Sequence, residues 1–460
     1  MSLANHPNVL GVKGMMPLAQ GSYFSDLPGR SRLAPTQLPG LAAWYDLRDA
    51  GSYITATGVK LLGDKSGNSG VKVLCLNGVV GNYASTPDAV PLQITGDIDL
   101  RCKVNLPLIT PAANTFLVVK DDQAALRAYS FFVGSTGALQ GEFSLTGTTV
   151  VASISSVTLA SLSLLNATDY WFRVTRVSAT GAVNFYYSAD GIAWNAVGTQ
   201  QSTTSGAMFN SAQPVHIGRA GINYSLGNYY RAQILNGIAG TLVFDADFSK
   251  VAKLATTFTE SSVNAATVTI NTTGDLGARI CGARDLVNLT GANQPTLSGG
   301  GALFNGSSQY LKCAGFSLGQ PATVYFCGQQ KTWVSTRVLF DGGAITTGQA
   351  IQTTSTPQLN ISAGSSVAAN TGLAVTTNGV FTAIFNGASS FDRVNKIAAV
   401  SGSAGAGTMN GFTLGATASA TLWANIIALE VLIFSYAHDQ ATQNRVITYL
   451  GNKWGIPVGS

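Results

Sequence analysis

The amino-acid sequence predicts an all-β protein made of two β-sandwiches, with an extended N-terminal arm and a short C-terminal helix. Apolar and polar residues alternate along many short segments, most clearly over 170–176, where Tyr170, Phe172 and Val174 share one face. Turn residues, including many of the 52 glycines, separate these segments at the spacing typical of sandwich strands. One segment, 439–454, has the spacing of a helix instead.

Charged residues are scarce in this chain of 460 residues. Lys, Arg, Asp and Glu make up 10% of it, against about 25% in an ordinary soluble domain. The net charge is +5 and the basic residues form no run, so nucleic acid is not an expected partner. The sequence has no apolar run of about 18 residues, so membrane insertion is not expected. It has no signal-peptide pattern either, so secretion by a signal peptide is not expected. Such an apolar chain is expected to be partly covered by other chains, including copies of itself.

Residues 1–37 are expected to form an extended arm. Four of the fourteen prolines lie in this segment, and no helical or strand period runs through it. The segment is too apolar for a solvated linker, so we expect it to lie on a neighbouring subunit. The residues expected to be buried by that contact are Met15, Met16, Tyr23 and Phe24.

The rest of the chain is predicted to divide at residue 275, with one sandwich over 38–275 and the other over 276–460. The best-defined element of the first sandwich is an antiparallel meander that begins at 170–176, continues over 183–187 and turns at Asp190-Gly191. The second half has further short alternating segments separated by Gly, Ser, Thr and Asn.

The predicted helix occupies 439–454. Asp439 is the expected N-cap, and apolar residues recur at helical spacing as far as Trp454. Gly455 is expected to end the helix, with Pro457 just beyond it. Its apolar stripe predicts that the helix packs on the second sandwich as a lid.

Several stretches carry a family resemblance. The sequences YWFRVTR (170–176) and VNFYYSADGIAW (183–194) resemble the central strands of concanavalin A-like, or LamG-type, jelly rolls. Other stretches resemble the opening or the ending of the same modules, namely 41–45, 61–68, 284–290, 301–311 and 445–456. The resemblance implies two concanavalin A-like jelly-roll β-sandwiches in tandem.

The ending of the chain, together with 240–248 (GTLVFDADF), is similar to phage-encoded LamG-like proteins of heads, fibres and tails. The resemblance implies a non-enzymatic bacteriophage virion structural protein, either a head decoration or cement protein or a head or tail fibre subunit. Its partners would be capsid or tail subunits, contacted through the arm. Its location would be the virion, after synthesis in the host cytoplasm.

A glycan-binding adhesin of the phage tail is the alternative function. Sugar sites need exposed aromatic faces and hydrogen-bonding side chains on loops. Tyr224, Tyr229 and Tyr230, with Asn228, are the candidate platform for a host surface glycan. Aromatic residues of β-sandwiches mostly belong to the core or to cross-strand pairs. A structural role for the same four residues therefore stays open.

No catalytic site is predicted. Glycosidases of this fold place acidic residues close together, whereas the chain has only Glu142, Glu260 and Glu430, far apart in sequence. Asp245 and Asp247 would share one strand face and are expected at a solvated strand end. The sequence therefore predicts a protein that is not an enzyme.

No cofactor or metal is predicted either. Asp64, Asn68, Asp285 and Asn288 carry oxygen atoms that suit calcium, but hydrogen bonding within Asx turns explains the same residues. The five cysteines include no CxxC pair and are expected to be buried free thiols of a protein made in a reducing cytoplasm, namely Cys75, Cys102, Cys281, Cys313 and Cys327.

Overall fold

A computed structural model describes residues 34–459 except 56–57, 314–315, 317 and 368–371. The described residues form β-sandwiches and one C-terminal helix, so the predicted fold class is confirmed. The residues assigned to the arm contact, Met15, Met16, Tyr23 and Phe24, lie outside the described part of the chain.

The first sandwich consists of two antiparallel sheets, sheet 1 and sheet 2. In sheet 1 the strands follow the spatial order Asn195–Ala196, Ala182–Ser188, Asp169–Arg176, Ile98–Asn105, Leu226–Asn236, Val73–Asn77 and Arg279–Cys281, with Gln201–Ser202 beside the second and Thr241–Asp247 beside the fifth. In sheet 2 the order is Val150–Thr158, Ala138–Ser144, Tyr129–Val133, Thr115–Lys120, Val215–Ile217, Tyr83–Thr86, Thr267–Asn271 and Thr257–Thr259. A small hairpin, Arg219–Ala220 with Asn223–Tyr224, follows sheet 2.

The second sandwich consists of sheet 3 and sheet 4. In sheet 3 the order is Thr296–Ser298, Gly301–Asn305, Asn425–Phe434, Ala322–Gln330, Asn378–Phe385, Ser390–Val394 and Val400–Gly402, with Leu41–Asp46 also paired to the third strand. In sheet 4 it is Tyr53–Thr55, Val59–Leu62, Leu286–Val287, Leu311–Lys312, Phe412–Leu414, Val338–Gly342, Gln349–Gln352 and Leu359–Ser362. Short 3₁₀ turns occur at Pro35–Gln37, Ala50–Ser52, Val90–Leu92, Ala160–Leu162, Phe248–Lys250, Gly291–Asn293 and Gly387–Ser389.

Each sandwich buries its own apolar core between its sheets. In sheet 1 the predicted alternation is observed: Phe172 and Val174 are buried in the core, where they meet sheet 2 residues such as Phe131. Trp171 and Arg173 point to the opposite, outer face of sheet 1 because successive side chains of a strand alternate between faces. The outer face of sheet 1 is therefore lined by side chains that the core does not use.

The C-terminal helix, α1, covers Gln440–Trp454 and packs on the outer face of sheet 3 through Val446, Ile447 and Leu450. The side chain of Asp439 accepts a hydrogen bond from the backbone N–H of Thr442 at 2.7 Å, and Gly455 ends the helix in a left-handed conformation, as predicted. Within the described residues no helix has the length and apolar content that a membrane crossing requires.

The strand pairing differs from the predicted domain boundaries. Leu41–Asp46 pairs with Asn425–Phe434, and Val59–Leu62 pairs with Leu286–Val287, so these two strands belong to the second sandwich and not to the first. Arg279–Cys281 pairs with sheet 1 and belongs to the first sandwich, beyond the predicted division at residue 275. The first sandwich is therefore an insertion between two adjacent strands of sheet 4. We call it the inserted sandwich and call the second one the host sandwich.

The connections between the two sandwiches are held by Asp64 and Asp285. Asp285 accepts hydrogen bonds from the backbone N–H groups of Asp64 at 3.0 Å and Gly282 at 2.9 Å, and forms an ion pair with Lys253 at 2.6 Å. Asp64 accepts from the N–H of Ser66 at 2.9 Å in an Asx turn. The Asx-turn hydrogen bond that the sequence offered as the alternative to calcium is thus present at Asp64, whereas Asp285 accepts from the backbone of Asp64 and of Gly282 instead.

We expect a fragment of residues 64–285 to fold alone, because it contains all the strands of the inserted sandwich and its complete core. A fragment of residues 38–275 should be less stable or aggregate, since it lacks Arg279–Cys281 and exposes the apolar strand Leu41–Asp46 without its partner. Circular dichroism and urea unfolding of both fragments test the boundary. Equal cooperativity and midpoints for the two fragments would contradict it.

Candidate functional site

The outer face of sheet 1 carries a concentration of aromatic and charged side chains. They come from neighbouring strands whose registers place them side by side: Arg173 lies opposite both Arg101 and Tyr186, and Trp171 lies opposite Lys103. We call this surface the aromatic face and define it by Arg101, Lys103, Asp169, Trp171, Arg173, Tyr186, Trp194 and Tyr230.

A buried carboxylate, Asp99, organises the aromatic face. It accepts two hydrogen bonds from Arg101, at 3.0 and 2.7 Å, and two from Arg173, at 2.9 and 2.7 Å. The backbone N–H of Ala239 donates a further hydrogen bond at 3.0 Å. Burial by itself would raise the pKa of Asp99, but the hydrogen bonds from the two arginines lower it below its ordinary value. Asp99 is therefore charged at neutral pH and holds both guanidinium groups in place.

The indole ring of Trp194 lies over both arginines. The guanidinium carbon of Arg101 is 5.6 Å from the ring centroid and that of Arg173 is 5.4 Å from it. Arg173 also lies 5.1 Å from the ring of Tyr186, and Trp171 meets Trp194 edge to face with centroids 6.5 Å apart. These distances are in the range of cation–π and aromatic pairs, so Trp194 is fixed by the residues beneath it.

Trp194 stays partly exposed to solvent. Its Nε1 atom and the Nη1 atoms of Arg101 and Arg173 have no hydrogen-bond partner among the residues that the structure describes. The face thus presents an aromatic ring and three donor nitrogen atoms that a ligand could use.

The predicted Asp190-Gly191 turn positions Trp194. The side chain of Asp190 accepts hydrogen bonds from the N–H groups of Ile192 at 2.8 Å and Ala193 at 3.0 Å. Gly191 has φ +78°, and a Cβ atom at this position would lie 2.8 Å from the Trp171 indole. Glycine is therefore required both for the backbone conformation and for the close approach of the loop to Trp171.

Tyr230, Lys103 and Asp169 form the other end of the aromatic face. The Tyr230 hydroxyl donates to Asp169 at 2.9 Å, and the Lys103 ammonium lies 4.7 Å from the Tyr230 ring centroid and 3.8 Å from Asp169. Burial, followed by the nearby Asp169 charge, raises the pKa of Tyr230 well above its ordinary value. Tyr230 therefore remains a neutral hydrogen-bonding phenol.

The residues predicted for glycan binding are separated by the fold. Tyr230 and Asn228 lie on the outer side of sheet 1, but Tyr229 is fully buried in the core, where its hydroxyl donates to the carbonyl of Phe116 at 2.6 Å. Tyr224 lies on the small hairpin beside sheet 2, with its ring 6.0 Å from that of Tyr83. The predicted platform of three tyrosines is thus wrong, because Tyr229 is buried in the core and Tyr224 lies beside sheet 2.

The acidic residues considered for catalysis serve as structural acceptors. Glu260 accepts from the backbone N–H groups of Asp245 at 2.8 Å and Ser262 at 2.6 Å, and Arg231 holds Asp245 at 2.6 Å. The pair Asp245 and Asp247, expected at a solvated strand end, is largely buried.

A second candidate is an open cleft of about 690 Å³ at the C-terminal end of α1, lined by Leu47, Arg48, Tyr53, Gly300, Asn452, Lys453, Trp454 and Gly455. Beneath it, the buried Glu430 accepts hydrogen bonds from Trp44, Tyr449, Lys453 and Trp454. The guanidinium of Arg48 lies 5.9 Å from the Trp454 ring and also binds the carbonyl of Lys453. The Nε1 atom of Trp454 donates to Glu430, whereas the Nε1 atom of Trp194 has no partner among the described residues, which favours the aromatic face as the site.

Arg101, Arg173 and Trp194 were not predicted as site residues. The alternation over 170–176 does place Trp171 and Arg173 together on the face away from Phe172. This strand pairs with Ile98–Asn105, which brings Asp99 and Arg101 alongside it. No local sequence signal predicts the pairing, because the two strands are far apart in the chain.

No protein-family model matches this chain. No curated protein matches it either. Among solved structures, a Bacteroides ovatus protein provisionally described as carbohydrate-binding matches with 10% identity and a TM-score of 0.31, over 43% of this chain and 57% of its own length. Laminin α1 domains LG4–5 from mouse match with 10% identity and a TM-score of 0.31, over 80% and 93%. A sialidase from Trypanosoma rangeli matches with 8% identity and a TM-score of 0.31, over 71% and 68%.

The chain thus spans little more than half of the Bacteroides ovatus protein. Laminin LG domains, a protein described as carbohydrate-binding and a sialidase are thus among the neighbours. At these identities and TM-scores the likenesses carry no argument about ligand or activity.

We expect Asp99→Asn to destabilise the protein by about 3 kcal/mol at neutral pH, because it leaves two arginines without their buried anion. The pKa of Asp99 is lower in the folded protein than in the unfolded chain. The contribution of Asp99 to the free energy of unfolding is therefore complete above its unfolded pKa of about 3.9, and it is lost as the pH falls through its folded pKa. The difference between wild type and variant in urea unfolding should therefore shrink below about pH 4. If the difference in free energy of unfolding between wild type and Asp99→Asn stays constant below about pH 4, Asp99 is not the charged partner of the two arginines.

Proposed function

We propose that this chain is a non-enzymatic glycan-binding protein whose ligand lies on the aromatic face. The observation that carries the proposal is the Trp194 ring, held on Arg101 and Arg173 while remaining partly exposed. A sugar ring presents C–H groups that pack on an aromatic face and hydroxyl groups that need nearby hydrogen-bond partners.

The surroundings of Trp194 supply those partners. The Nη1 atoms of both arginines can donate to hydroxyl or carboxylate oxygens, and Lys103 and Asp169 extend the polar surface toward Tyr230. Because Asp99 already fixes the arginine side chains, a ligand loses little free energy in ordering them. An extended face of this kind suits several sugar units in a row better than a single monosaccharide.

We expect Trp194→Ala to weaken glycan binding at least about tenfold, since it removes the stacking surface. The measurement is affinity electrophoresis of the full chain through gels that contain purified bacterial polysaccharides, after a screen identifies one that retards the wild type. Tyr436→Ala is the matched control, because Tyr436 is an exposed aromatic residue of the host sandwich, away from the aromatic face.

Equal retardation of wild type and Trp194→Ala, with both proteins folded, would show that the aromatic face is not the site. Trp194→Phe should retain part of the binding, which separates loss of the ring from loss of the fold. Release of reducing sugar from the bound polysaccharide would overturn the non-enzymatic part of the proposal.

We also propose that the glycan-binding chain is a bacteriophage virion component that docks on capsid or tail subunits through residues 1–37. The apolar character of that segment supports docking through it. Val79, Val80 and Leu226 leave a half or more of their surfaces exposed on the inserted sandwich and offer a separate apolar surface for contact with a neighbouring chain. Exposed apolar clusters are typical of surfaces that another chain covers.

We expect deletion of residues 1–37 to leave both sandwiches folded but to abolish incorporation into particles. Immunoblotting of purified particles against the soluble fraction measures this, with circular dichroism as the control for folding. Normal incorporation of the truncated chain would refute docking through this segment.

A further inference from the structure

Two of the five cysteines meet at the connection between the sandwiches. The Sγ atoms of Cys75 and Cys281 are 2.8 Å apart, well inside the distance of about 3.5–4.0 Å at which even two non-bonded carbon atoms make contact. A disulfide bond has an S–S length of about 2.05 Å, so the two sulfur atoms must approach by a further distance of less than about 1 Å. Because diagonal neighbours of adjacent strands have Cα atoms about 7–8 Å apart, the two backbones must also move slightly closer together.

The fold brings these two cysteines together for a topological reason. Cys75 lies on Val73–Asn77, at the start of the inserted sandwich, and Cys281 lies on Arg279–Cys281, at its end. The two strands are adjacent and antiparallel, with Arg279 opposite Cys75, so the thiols are diagonal neighbours on one face of sheet 1. Arg279–Cys281 is short and pairs on one side only, which leaves it free to make the small shift.

The surroundings would protect the bond once it has formed, because a dissolved disulfide can reach the two thiols only while the chain folds, before the cluster around them closes. Both thiols are buried in an apolar cluster with Leu61, Val73 and Val287, where the inserted sandwich meets the host. The hydrogen bond from Cys75 and the buried guanidinium of Arg279 lower the pKa of Cys281, which favours the thiolate that attacks in disulfide exchange. Of the other cysteines, Cys102 and Cys313 lie in the separate cores of the two sandwiches.

We propose that Cys75 and Cys281 form an intramolecular disulfide that closes the inserted sandwich where it joins the host. The oxidant is a low-molecular-weight disulfide. The Cys281 thiolate attacks one of its sulfurs, breaks its S–S bond and releases one thiol. Cys75 then loses its proton and attacks the Cys281 sulfur, which releases the second thiol. The two protein thiols lose two electrons and two protons in total, and the oxidant gains them.

The thiols are free in a reducing cytoplasm, as the cysteine pattern predicts, and become linked when the protein folds in an oxidising medium. The bond would join the entry and exit strands of the inserted sandwich, so that sheet 1 could no longer open at its Arg279–Cys281 edge.

The test is refolding of the full-length chain from urea in a buffer of reduced and oxidised glutathione, then alkylation in denaturant and mass spectrometry of tryptic peptides. We expect three alkylated cysteines, one cross-linked peptide pair joining Cys75 to Cys281, and a thermal midpoint several degrees above that of the reduced protein. Five alkylated cysteines, or cross-links between other pairs, would overturn the proposal.

Two variants sharpen the result. Cys75→Ala should leave every remaining cysteine alkylated and remove the gain in thermal midpoint on oxidation, whereas Cys102→Ala should keep the cross-link and the gain. If Cys75→Ala does not fold, the peptide map of the wild type still decides, because it identifies the bonded sulfurs directly.

Discussion

Pairing between Leu41–Asp46 and Asn425–Phe434 joins the two ends of the described chain in one ladder and closes the host sandwich. The chain then leaves sheet 4 after Val59–Leu62 and must return to the adjacent strand Leu286–Val287. Everything between has to fold as a unit whose two ends meet. This requirement explains why the first and last strands of the inserted sandwich are neighbours in sheet 1, and why Cys75 and Cys281 come into contact there.

Several of the few charged side chains form buried or half-buried ion pairs that hold strands together. Asp99 holds two arginines, Asp245 holds Arg231, and Glu430 lies under Lys453 at the end of α1. Removing one member of such a group leaves an uncompensated charge in a poorly solvated place, so each group specifies one arrangement of its strands.

The aromatic face shows how such a group also creates a binding surface. Because Asp99 fixes the guanidinium groups and these in turn hold Trp194, the ring has one defined orientation before any ligand arrives. The cleft at the end of α1 has similar residue types, with Arg48 5.9 Å from the Trp454 ring, but there the indole N–H donates to Glu430. The two sites therefore differ in whether the indole N–H is available to a ligand, and side-chain packing alone determines that.

The sequence by itself determined the features that depend on neighbouring residues: the alternation over 170–176, the Asp190-Gly191 turn, and the helix with Asp439 and Gly455 at its ends. Only the tertiary structure decided that Leu41–Asp46 and Val59–Leu62 belong to the host sandwich, because strand pairing over long separations leaves no local pattern. It also decided which tyrosine faces outward. The ladder with Ile98–Asn105 is irregular between Tyr229 and Arg231, so that Tyr229 enters the core while Tyr230 and Arg231 both remain partly exposed. Simple alternation cannot predict a bulge, which forms only when two strands meet.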